Sequence, residues 1–228
     1  MTIRTLLLFA VILSFNACGI FRVHHKEELI DFRTNRIPDH SLKLNGYYYA
    51  ELEREPNVLD SVQAEKIKYL SVFFIYKDGF VVNIRGIDGL TKYYCAENKT
   101  FENTYQSAHE AIELMLEAQH AEDRKIKRSC SFEPNDIGNK GLVQIDENNI
   151  KIQSYSIERQ KPGQDSFNSA YLYEMNGVIK SDSSFVIESE TAYRTNEESS
   201  ENTVFRFRQT AQKPNVENYF LNNTNRFK

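Results

Sequence analysis

Cys18 is the residue whose chemistry is set most plainly by its neighbours. Arg4 and an apolar run from Leu6 to Leu13 lead into Phe15-Asn16-Ala17-Cys18-Gly19. That is the layout of a bacterial secretory signal with a small residue before the cut, and the thiol stands where a lipoprotein signal places the cysteine to be acylated. The run is too short for a permanent span, which needs roughly 20 apolar residues. Residues 1–17 therefore read as a signal peptide and Cys18 as a lipidated N-terminus bearing palmitate among its acyl chains, since stable anchoring takes two or more chains. The other reading is an ordinary signal peptide cut elsewhere.

Cys95 and Cys130 are the remaining thiols. Export would place them in an oxidising compartment, where an even pair is expected to bridge. The bridge would close a loop of about 36 residues and stabilise the fold by about 3–4 kcal/mol. Two buried thiols too far apart to join are the alternative. His109-Glu110-Ala111-Ile112-Glu113 falls one residue short of the His-Glu-x-x-His zinc pattern. His109, Glu113, Glu117 and His120 share a helical stripe, but one opposite the apolar stripe, where a solvated face is expected. A metal site there would need ligands from other helices, so no metal and no cofactor is expected. His24 and His25 lie in a charged leader. No nucleophile elbow, P-loop or dinucleotide fingerprint appears, and the chain is read as a non-enzyme.

Positioning falls to strands. The chain has 13 Tyr and 15 Phe but no Trp, and its β-branched or aromatic runs end in Asn, Asp or Gly. Without its signal it keeps about 210 residues, enough for one domain with a core. Its formal charge moves from −4 to about −5, which argues against nucleic acid as a partner.

Residues 18–42 are charged and read as a tether, and 43–212 as the domain, with 213–228 a tail. Strands are expected at 45–52, 70–76 and 80–85, the last two joined by Asp78-Gly79, with a further short one from Leu90 to Cys95. One amphipathic helix is expected over about 105–127. Strands then return at 142–145 and 150–155 around Asp146-Glu147-Asn148-Asn149. Another pair is expected at 171–175 and 178–179 across Asn176-Gly177, a second hairpin signal. Strands at 185–187 and 204–207 bring the total to roughly eight or nine. The fold class is mainly β: an antiparallel meander barrel or strongly curved sheet with one inserted helix. Tyr47 and Tyr49 share a strand face and are candidate ligand-binding residues if that face lines a pocket.

Asn-Gly-Tyr-Tyr-Tyr at 45–49, Phe-Phe-Ile-Tyr-Lys-Asp-Gly at 73–79 and Ile-Asp-Glu-Asn-Asn-Ile-Lys-Ile-Gln at 145–153 resemble lipocalin-like lipoproteins of Bacteroidetes. So do Tyr173-Glu174-Met175-Asn176-Gly177-Val178-Ile179 and Lys213-Pro214-Asn215. The resemblance implies a calycin-type barrel. The Gly-x-Trp of true lipocalins is absent, with Tyr48 two residues after Gly46. Lys26-Glu27-Glu28 resembles the surface-export signal of that group and Asp60-Ser61-Val62 its O-glycosylation motif. The expectation is a lipid-anchored barrel of the bacterial outer membrane that binds a small molecule or glycan. The alternative is an accessory subunit that binds another envelope protein.

Overall fold

In the computed structural model, which describes residues 22–56, 65–92, 95, 100–126, 137–158 and 168–227, the period-two runs become nine strands. They are β1 (Arg22–Val23), β2 (Gly46–Arg54), β3 (Ile67–Ile75), β4 (Phe80–Asp88), β5 (Lys140–Asp146), β6 (Asn149–Glu158), β7 (Ser169–Ser181), β8 (Ser184–Ala192) and β9 (Glu197–Gln209). Strands β2 to β9 pair antiparallel in chain order, and β9 returns to β2, so eight strands close a meander barrel. This is the expected mainly-β barrel, compatible with a lipocalin-like fold. The helices are α1 (Tyr105–Ala118), inserted between β4 and β5, and the short α2 (Tyr219–Asn222). Among the described residues no helix is long and apolar enough to cross a membrane.

Alternation along each strand feeds two separate cores. Tyr48, Ala50, Phe73, Ile75, Val143, Ile152, Phe185 and Phe205 point into the lumen. Their neighbours Tyr47, Val72, Phe74, Val82, Leu142, Tyr155 and Leu172 point outward into a second cluster. That outer cluster is covered by Ala108, Ile112 and Leu116 of α1, by Ile30 and Phe32, and by Tyr219, Phe220 and Phe227. Both faces of most strands are thus apolar, each buried against a different partner.

Both ends of the chain depart from the sequence reading. The segment read as a tether packs from Arg22 onward: β1 pairs in parallel with the start of β7, and Ile30, Phe32, Ile37 and Leu42 are buried. The Gln153 side chain fixes it, accepting from the Ile30 amide at 2.7 Å and donating to the Glu28 carbonyl at 2.8 Å. The C-terminal tail also packs. Lys213 Nζ donates to the carbonyls of Leu44 at 2.9 Å and Ile75 at 2.5 Å. Burial pushes that amine down to about 8. In each case a few apolar residues at irregular spacing carry the packing inside a polar stretch, so no period marks it.

Two hairpin signals fare differently. Asp78-Gly79 does join β3 to β4, with Gly79 at φ +78°. Asn176-Gly177 does not turn but lies within β7, at a register shift against β8. Gly177 is there for space: a Cβ would stand 2.0 Å from the Val186 carbonyl oxygen. The helix expected to run to about 127 ends at Ala118, where its apolar spacing ends; residues 119–123 interrupt it and 124–126 are helical again. Gln119 then ties the helix end to the tail, accepting from the Asn215 amide at 2.6 Å and donating to the Lys213 carbonyl at 3.0 Å. Of the strand expected from Leu90 to Cys95, the described residues 90–92 are bends and coil and Cys95 lies in a 3-10 turn, while residues 93 and 94 lie outside the described residues.

Candidate functional site

The lumen is divided along its length. At the end where β3 turns into β4 and β7 into β8, aromatic rings fill it: Phe185 and Phe205 stack with centroids 5.1 Å apart, Phe73 lies 4.9 Å from Phe205, and Tyr48 lies 5.2 Å from Phe185. The Tyr48 hydroxyl donates to the Asp182 carbonyl at 2.7 Å, so even its polar tip is satisfied. The opposite end, where β2, β4 and β8 finish, is the mouth. There polar side chains join apolar ones around a cavity of about 300 Å³, bordered by Ser71, Arg85, Glu190, Glu201 and Thr203 together with Leu52, Tyr69, Met175, Ile187 and Phe205.

A second chamber of about 260 Å³ adjoins it, bordered by Asn83, Arg85, Asn139, Ser154 and Ser156. It exists because β5 is short. The β4–β5 ladder covers Phe80–Val82 against Lys140–Leu142, the Asn83 amide donates to the Asn139 carbonyl at 2.8 Å, and among the described residues no strand lies between β4 and β6 beyond that point. Gly86 at φ +78° bends β4 here, beside a register shift against β3. No atom lies within 4 Å of where its Cβ would be, so this glycine serves the backbone conformation rather than close approach.

Arg85 borders both chambers. Its guanidinium spans the Glu190 carboxylate, Nη2 to Oε2 at 3.3 Å and Nη1 to Oε1 at 3.5 Å. It also lies over the Tyr173 ring at 5.6 Å and approaches Met175 Sδ at 3.9 Å. The ring, the thioether and the ion pair hold the planar donor fork in place. Asn83 stands two residues earlier on the same face, 2% exposed, and its Oδ1 has no hydrogen-bond partner. A buried acceptor left unpaired costs about 1–3 kcal/mol. A hydrogen-bond acceptor without a donor thus lies buried beside a guanidinium that borders both chambers and the carboxylate paired with it. Such groups recognise a small polar ligand by orientation and charge.

The residues singled out in the sequence lie elsewhere. Tyr47 and Tyr49 face outward under α1 and border neither chamber; the ring aimed into the lumen is Tyr48. Apolar residues on both faces of β2 hid that direction. His109 is not on a solvated face: it is 4% exposed, shares a 2.8 Å hydrogen bond between its Nδ1 and the Tyr47 hydroxyl, and meets Tyr49 edge-on at 4.6 Å. Burial, aided by nearby Arg208, pushes its imidazole down to about 4, so it is neutral at pH 7. Glu113 pairs with Arg208 at 3.2 Å. Among the described residues no group of three or more His, Cys, Asp and Glu is placed to hold a metal ion. Cys95 is disulfide-bonded, whereas Cys18, Cys130 and Asp60-Ser61-Val62 lie outside the described residues.

The mouth residues had one legible mark: Asn83 and Arg85 are polar at i and i+2 in the otherwise apolar run from Phe80 to Ile87. Glu190 had none, because a register shift between Ile187 and Ser189 moves it onto the inward face. A comparison with protein-family models, curated proteins and solved structures found no match.

Proposed function

We propose that this chain is a lipid-anchored barrel of the bacterial outer membrane that binds a small polar molecule, or the terminal unit of a glycan, in its mouth, without chemical conversion. The observation that carries the reading is the unpartnered Asn83 Oδ1 beside the Arg85 guanidinium, in a lumen whose other end is packed. A ligand hydroxyl or amine would donate to Asn83, and a ligand oxygen would share the Arg85 fork with Glu190. Cys18 supplies the anchor through its acyl chains. The accessory-subunit reading draws less support. Val204 and Leu221 are the large hydrophobics exposed among the described residues, and they form no broad apolar patch.

Native mass spectrometry on the lipoprotein gently extracted from its own cells tests the reading. A discrete added mass of a few hundred daltons, lost in Arg85→Ala and Asn83→Leu but kept in Tyr49→Phe, is the expected result. An adduct indifferent to Arg85 and Asn83, or co-migration with a second protein in place of a small mass, would overturn it.

A further inference from the structure

The path by which the chain enters the barrel fixes which end lies nearest the anchor. β1 sits beside the first residues of β7, with the Arg22 amide donating to the Asn168 carbonyl at 3.1 Å and the His24 amide to Ala170 at 3.0 Å. It pairs with the edge of β7 that β8, whose ladder begins at Tyr173, leaves uncovered. The His24 ring stacks on Tyr171 with centroids 4.6 Å apart, and Val23 packs on the outer core. The entry point is thus held by strand pairing, stacking and burial together, and it lies at the mouth end, where β7 begins.

Distances then decide the matter. Cys18 precedes Arg22 by four residues, a reach of at most about 14 Å for extended chain. The 13 residues of β7 run roughly 40 Å along the strand, about 30 Å of it along the barrel axis once the tilt of barrel strands is allowed for. A chain anchored at Cys18 keeps the mouth end within that reach of the bilayer and cannot stand on its packed end while β1 stays paired. From this we infer that the barrel stands with its mouth towards the membrane that holds it, so the Arg85 cavity opens onto the lipid surface and takes its occupant from there. The inference rests on the anchoring of Cys18 proposed above, and adds an interaction surface, the mouth rim, with a bilayer as its partner.

The test uses the full lipidated protein in phosphatidylcholine vesicles doped with a headgroup quencher, with a fluorescent amino acid in place of Ser199 at the mouth or Lys180 at the packed end. Quenching several-fold stronger at Ser199 is expected. A flexible spacer of about 20 residues inserted after Gly19 should abolish that contrast while leaving the protein vesicle-bound. Equal quenching at the two sites, or stronger quenching at Lys180, would overturn the orientation and leave the anchor reading intact. A protein that does not bind vesicles would overturn the anchor and the orientation together.

Discussion

The packed end and the mouth of the lumen are made from the same strands, yet they obey different rules. At the packed end Tyr48, Phe73, Ile75, Phe185 and Phe205 fill the lumen, and the rings of Phe73, Phe185 and Phe205 touch one another. At the mouth the same strands turn inward Asn83, Arg85, Glu190 and Thr203, and the space between them stays open. The difference separates the part of the lumen that packing fills from the part proposed for recognition, and the outer core of α1 and the two chain ends adds burial without using lumen space. The mouth is thereby released from packing and keeps groups that a core would reject.

The strongest way to break the contrast is to empty the packed end. Phe185→Ala should destabilise by about 3–5 kcal/mol, read as a lower urea midpoint, whereas Arg85→Ala should change stability by less than about 1 kcal/mol, since its ion pair with Glu190 is partly exposed. Comparable losses in the two variants would erase the distinction.

Acid should act on the outer core next. The folded His109 imidazole titrates near 4, against an ordinary value of 6.5, so between those values the unfolded chain binds more protons. Stability therefore rises with pH through this window and falls on acidification through it, by about 3 kcal/mol. Thermal melts at pH 7 and pH 4 should show the loss, and His109→Gln should flatten it; an unchanged slope in that variant would assign the acid sensitivity to other groups.

Gly177→Ala probes the seam between β7 and β8, where the new methyl group meets the Val186 carbonyl. A cost of about 1–3 kcal/mol is expected from the backbone shift it forces, with the Arg85 cavity still able to bind. Smallest, and opposite in sign, is Asn83→Leu. Removing an unpaired buried acceptor should stabilise the free protein by about 1 kcal/mol while weakening ligand uptake. A destabilised Asn83→Leu variant would show that the amide oxygen already has a partner in solution.

Strand existence was legible because period two survives wherever one face differs from the other, as in Ile150-Lys151-Ile152. Strand direction was not legible in β2, since Tyr47, Tyr48 and Tyr49 are all apolar enough to be buried and two cores claim them. Asn176-Gly177 misled because glycine answers two needs, positive φ and absence of a side chain, and local sequence does not distinguish them. His109 looked solvent-facing because a polar residue on a helix is judged by its own stripe, whereas its hydrogen-bond partner Tyr47 lies 62 positions away. Arg85 and Asn83 left a trace in an apolar strand. What made them a site, the shortness of the β4–β5 ladder, is a tertiary fact.

The seam between β2 and β9 carries a consequence for how the molecule comes into being. It joins Tyr48 to Phe207, partners roughly 160 residues apart, and loop closure over that distance comes at the end of folding rather than the start. Hairpins such as β3–β4 and β5–β6 can form as soon as they are made, but the cylinder has no complete wall until β9 exists, and its outer coat waits for Tyr219 to Phe227. During synthesis the barrel and its outer coat therefore stay unfinished until β9 and then residues 219–227 have been made. Such lateness would suit the export proposed for this chain, in which a polypeptide threads a narrow passage before it takes shape.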